Sequence, residues 1–71
     1  MTPTLTDFFE AYDAELNSRP GLRLGQTAFN TLTRVHPRLA EQVHGSACDP
    51  FYDDNRLPKF FQCLSSKWEI V

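Results

Sequence analysis

No apolar run in this chain approaches the roughly 20 residues needed to cross a bilayer, and the opening MTPTLTDFFEAYDAE has no basic start followed by an apolar stretch. Neither a membrane span nor a signal peptide is therefore expected. Cysteine is sparse: Cys48 and Cys63 are fewer than the disulfide framework of about four to eight that a secreted chain of this size usually carries. Both are expected as free thiols, and the expected location is the cytoplasm. Glycine is scarcer still for its uses, since Gly21 and Gly25 stand alone and form no phosphate-binding pattern, and no serine is flanked by the glycines of a nucleophile elbow. No segment alternates apolar and polar residues as a strand would.

Length sets the next limit. A chain of 71 residues is one domain at most (1–71), buries only about 60% of the surface its unfolded form exposes, and can hardly spare volume for a catalytic pocket. Its content is nevertheless that of a folding chain: 41% of residues are hydrophobic and 13% aromatic, enough to build a core without a metal or cofactor. The net charge of −2 argues mildly against a nucleic-acid binder, which is usually basic. The charge is laid out in blocks. Residues 1–18 hold Asp7, Glu10, Asp13 and Glu15 with no base; residues 19–45 hold Arg19, Arg23, Arg34 and Arg38 against Glu41 alone; Asp49, Asp53 and Asp54 then cluster before a basic end. Such blocks are most simply explained by elements that face one another or by a solvated surface of mixed sign.

What is present is helical periodicity. Leu5, Phe8, Phe9, Tyr12 and Leu16 form one stripe, with Thr4 or Thr6 as the cap and Ser18–Gly21 as the stop. A second helix of about three turns starts near Leu24, with Ala28, Phe29, Leu32 and Val35 on one side. His36 precedes Pro37 and is pushed out of helical conformation, so a break is expected there; Pro37 then opens a short helix with Leu39, Ala40 and Val43 that Gly45 ends. Leu57, Phe60, Phe61, Leu64 and Trp68 repeat the spacing of the first stripe. The expected fold is all-α: three main helices and a short fourth, the first and last supplying most of the aromatic core.

The residue types that carry chemistry are thinly spread. His36, His44, Cys48 and Cys63 lack the close pairing of a zinc site, and solvated histidines with semi-buried thiols explain them as well. A calcium loop starting at Asp49 would place Phe51, Asp54 and Phe60 where a carboxylate, a glycine and a glutamate belong. No catalytic, metal-binding or cofactor-binding residue is assigned, and no enzymatic activity is expected. A helix-turn-helix over 24–43 leaves only His36 for the turn, and its second helix, PRLAEQVHG, is short. The segment DPFYDDNRLP (49–58) is richer. Asp49 can cap a turn that Pro50 begins, Phe51 can enter the core, and Asp54 or Asn55 can cap the last helix. Tyr52, Asp53 and Arg56 are left without a structural task and are the candidate partner-binding residues, tyrosine and arginine being enriched at interface cores.

The blocks RLGQTAFNTL (23–32), HPRLAEQVHG (36–45) and DPFYDDNRLPKFF (49–61) together resemble short bacteriophage- and prophage-type proteins that have no established activity. The match spans about residues 23–68. It implies a small protein that occupies a host protein as an adaptor or inhibitor, and it transfers no catalytic residue. The leading expectation is thus a non-enzymatic domain that binds a protein, through Tyr52, Asp53 and Arg56. The alternative is a nucleic-acid-associated regulator using the basic face Arg19, Arg23, Arg34 and Arg38, and an exposed aromatic patch could equally serve a homodimer.

Overall fold

In the computed structural model, which describes residues 3–68, the order of elements is α1 (Leu5–Ser18), α2 (Leu24–Val35), α3 (Pro37–Val43), a single 3-10 turn (Asp54–Arg56) and α4 (Leu57–Lys67). The protein is all-α, with no strand among the described residues. Thr4 caps α1 in a reciprocal box: its hydroxyl accepts from the Asp7 amide (3.1 Å) and the Asp7 carboxylate accepts from the Thr4 amide (2.8 Å). The break at His36 falls where Pro37 requires it. The His36 backbone leaves the helix, its amide closes α2 on the Leu32 carbonyl, and its Nδ1 accepts from the Leu39 amide at 3.4 Å as the cap of α3. Because Nδ1 accepts, the neutral ring carries its proton on Nε2, which finds no hydrogen-bond partner among the described residues and sits beside Trp68, the two rings perpendicular at 4.9 Å. Gly45 ends α3 in the left-handed region at φ 75°, open to glycine at no steric cost.

α1 and α4 supply the rings. Phe8 and Phe60 are fully buried with Leu32, Leu39 and Leu64, and Trp68 closes the cluster while its indole N–H donates to the Pro3 carbonyl at 3.0 Å. Phe9, at the edge of the α1 stripe, remains 40% exposed and rests on Phe61 at 5.4 Å. α2 lies between α1 and α3, and its buried face is built from small residues: Gly25, Thr27, Ala28 and Thr31, with Leu32 the single large one. The two threonine hydroxyls satisfy themselves within the helix, Thr27 donating to the Arg23 carbonyl (3.0 Å) and Thr31 to the Thr27 carbonyl (2.8 Å). Small, internally satisfied side chains let two neighbours approach α2 closely.

The closest approach is at Gly25. A Cβ there would overlap the Pro50 carbonyl oxygen and stand 2.8 Å from Asp54 Oδ1. The amide of Gly25 donates to that same Asp54 oxygen at 2.9 Å, supplying the N-terminal cap that Arg23, which makes no side-chain cap bond, does not. The expectation that Asp54 or Asn55 caps the last helix is therefore corrected: Asp54 caps α2 across the fold, and Asn55 is exposed. α4 is entered through the 3-10 turn instead, whose own bonds take up the amides of Arg56 (to the Asp53 carbonyl) and Leu57 (to the Asp54 carbonyl).

The expectation of free thiols is also corrected. Cys48 and Cys63 are joined as a disulfide, with Cα atoms 6.8 Å apart, closing a ring that holds the whole segment from Asp49 to Gln62. Two cysteines cannot form a framework of many bridges, but they can form one. The count missed this because the meeting of the two residues depends on the loop folding back onto α4, which no sequence period marks. The thiol argument for a cytoplasmic location falls with it. No helix among the described residues is long and apolar enough to cross a membrane.

Gly25→Ala should destabilise the fold by about 2–3 kcal/mol in chemical denaturation, the overlap outweighing the roughly 1 kcal/mol that alanine gains in a helix. Gly21→Ala, where a Cβ meets nothing within 4 Å, should stay within about 0.5 kcal/mol of the parent. Thiol titration of the unreduced, denatured chain should find no reactive thiol, and reduction should release both and cost about 3 kcal/mol for a ring of this size.

Candidate functional site

The surface around residues 44–56 is assembled from the end of α3, the disulfide-closed loop and the 3-10 turn. Its turn chemistry is local. Asp49, mostly buried, accepts from the Phe51 amide through Oδ1 (2.9 Å) and from the Gly45 amide through Oδ2 (2.8 Å), tying the loop start to the end of α3. Pro50, fully buried, begins a turn closed by the Asp53 amide on its carbonyl at 3.1 Å. Phe51 turns inward only in part: half-buried, it meets Phe29 edge-on at 6.0 Å, outside the main core. Arg23 Nη2 donates to the Phe51 carbonyl at 2.7 Å and holds the loop from the α2 side.

Tyr52, Asp53 and Arg56 do come together. They line one surface hollow of about 460 Å³ with His44, Ser46 and Asp49. Tyr52 is 81% exposed, the most exposed large hydrophobic side chain described, and its ring rests on Phe51 at 4.7 Å. Asp53 has a structural task that the sequence reading missed, capping the 3-10 turn by accepting from the Asn55 amide (3.0 Å) through Oδ1. Its Oδ2 lies 3.7 Å from Arg56 Nε, beyond hydrogen-bond length, and Arg56 Nη1 reaches the Ser46 carbonyl only at 3.5 Å. Both side chains keep unused bonding capacity at the surface. His44, read from the sequence as a weak metal-donor candidate or a solvated histidine, stands 76% exposed at the edge of the hollow with Nδ1 3.8 Å from Asp49 Oδ2.

Ser46, His44 and Asp49 are the residue types of a hydrolytic triad, but the geometry is a different one. The Ser46 hydroxyl donates to the Val43 carbonyl (2.7 Å) and accepts from the Cys48 amide (3.2 Å), so it forms no bond to the imidazole. Among the described residues no group of three or more His, Cys, Asp or Glu side chains gathers as metal ligands would.

Of the four arginines of the alternative reading, the structure brings Arg19 and Arg34 together around Glu15, and the set is partly engaged. Arg34 Nη1 pairs with Glu15 at 2.7 Å, Arg19 Nε approaches the same carboxylate at 3.8 Å, and Arg23 is spent on the loop. Arg38 stands exposed on α3. The opposite charge blocks of the sequence thus partly meet, Glu15 of the acidic helix with Arg34 of the next.

Compared with known protein families, with curated proteins and with solved structures, the chain finds no match. The site is therefore read from its own chemistry.

One titration reports the junction behind the site. Tyr12 donates to the Leu24 carbonyl at 3.3 Å, and its phenol is held above the ordinary value of 10.0, first by burial and second by the charge of Asp54. Ultraviolet titration of the Tyr52→Phe chain, which isolates Tyr12, should show ionisation above that value, with Asp54→Asn moving it part of the way back. The folded state keeps its proton longer than the unfolded one, so this contribution to stability is complete below about pH 10 and is lost as pH rises through the folded value.

Proposed function

We propose that this chain is a small, non-enzymatic protein-binding domain that recognises its partner through Tyr52, Asp53 and Arg56. The observation that carries the reading is Tyr52: a ring left 81% exposed on a segment fixed by a disulfide, a buried proline and two cross-fold hydrogen bonds. An exposed aromatic beside an arginine, both on a rigid support, loses little conformational freedom on binding and is the usual make-up of an interface anchor. The unused capacity of Arg56 and Asp53 adds orientation, and the absence of a serine-to-histidine bond in the hollow suits recognition better than chemistry. With the resemblance to phage-type proteins, an adaptor or inhibitor that occupies a host protein is the role that fits. The nucleic-acid reading draws less support, because Arg34 and Arg23 already have close partners within the fold.

Affinity capture from the native host lysate, run in parallel with the parent chain and a Tyr52→Ala, Arg56→Ala double variant, should recover a protein with the first and lose it with the second. Recovery of the same protein by both would remove the loop from the interface. Binding to random duplex DNA that weakens steeply as salt rises would turn the assignment to the arginines instead.

A further inference from the structure

A second hollow adjoins the first. It lies between α2 and α3, measures about 300 Å³ and is lined by Phe29, Thr33, Pro37, Ala40, Glu41 and His44. His44 belongs to both hollows, so they form one continuous surface with the imidazole as the divide. Along it runs a row of neighbouring rings: His44 to Phe29 (5.8 Å), Phe29 to Phe51 (6.0 Å) and Phe51 to Tyr52 (4.7 Å). The first hollow carries two carboxylates, Asp49 and Asp53, beside Arg56 and the Tyr52 ring; the second is mostly apolar with Glu41 as its single carboxylate.

We infer that this double hollow takes an extended peptide segment of the partner protein, seating an apolar side chain between α2 and α3 and a neighbouring lysine or arginine over Tyr52 and Asp53. The inference rests on the protein-binding reading and names the chemistry of the partner. Size and lining select the apolar residue: Phe29, Pro37 and Ala40 offer carbon surface in a space suited to one large aliphatic or aromatic side chain. Charge selects the basic one. Glu41, Asp49 and Asp53 line the two hollows against Arg56 alone among the fixed cations, and Arg38 lines neither. Asp49 is committed to two backbone amides, but Asp53 meets Arg56 only loosely and retains acceptor capacity. A cation there would also lie against the exposed face of the Tyr52 ring. An acidic segment would meet Glu41 at one end and, Arg56 apart, Asp49 and Asp53 at the other.

Panning displayed random short peptides against the intact, unreduced chain tests this directly. The enriched peptides should pair Leu, Ile, Met or Phe with Lys or Arg a few residues away. A resynthesised peptide, followed by fluorescence anisotropy, should bind less tightly as salt rises from about 50 mM to about 500 mM. Thr33→Trp, an exposed change that plugs the apolar hollow, should weaken it roughly tenfold. Asp53→Asn, which keeps an oxygen for the Asn55 amide, should weaken it about fivefold. Circular dichroism should show both variants folded. Enrichment of acidic peptides, no enrichment at all, or affinity indifferent to Thr33→Trp would overturn the inference. In the last case, with binding still dependent on Tyr52 and Arg56, the double hollow falls while the protein-binding reading stands.

Discussion

The proposed binding surface of this fold hangs on the junction at the start of α2. A helix begins with amides that have no partner in their own helix, and Arg23 provides no side-chain cap, so the need is met from outside by Asp54 on the Gly25 amide at 2.9 Å. A carboxylate at that end also suits the helix dipole. The bond is possible only because residue 25 has no side chain, since the Pro50 carbonyl occupies the space a Cβ would take. A single glycine therefore lets a distant loop dock on α2, and the loop in turn completes the helix.

The docked loop is then held from its remaining sides. Arg23 takes the Phe51 carbonyl, Asp49 binds the loop start to Gly45, and the Cys48–Cys63 bridge closes the ring onto α4. What these restraints leave outward is Tyr52, with Asp53 and Arg56 beside it and His44 across the hollow. An irregular segment of this length would ordinarily be mobile; here each backbone turn has an identified partner, so its exposed side chains are presented from a firm base. The core behind it follows the same economy. Large rings from α1 and α4 fill the volume, and α2 stays thin with threonine, alanine and glycine so that both sides can close on it.

Much of this architecture is legible from periodicity and punctuation. The stripes beginning at Leu5 and Leu57, the break imposed on His36 by Pro37 and the stop at Gly45 all rest on local rules, and local rules survive folding. The exposure of Tyr52 could be anticipated by the same local reading, as one of three residues, with Asp53 and Arg56, left without a structural task, although Asp53 proves to cap the 3-10 turn. What could not be read is what depends on distant parts meeting. Asp54 and Asn55 look alike as caps for the helix that follows them, and only the docking of the loop on α2 gives Asp54 its other role. The two cysteines, 15 residues apart, carry no periodic sign that they meet. Thr27 and Thr31 read as polar and are buried, because their hydroxyls bond back to the helix. His44 gained its place only when α3 and the loop were brought side by side.

The Gly25 amide offers the most direct measurement. As the second residue of its helix it would, uncapped, exchange its hydrogen with solvent almost as freely as an open chain. Native-state hydrogen exchange followed by NMR should instead find it protected to a level near that of the amides in the middle of α2, and should find that protection lost in Asp54→Ala while the middle of the helix keeps its own. Free exchange at Gly25 in the parent chain, or protection unchanged in Asp54→Ala, would contradict the claim that the loop caps α2 and is held there.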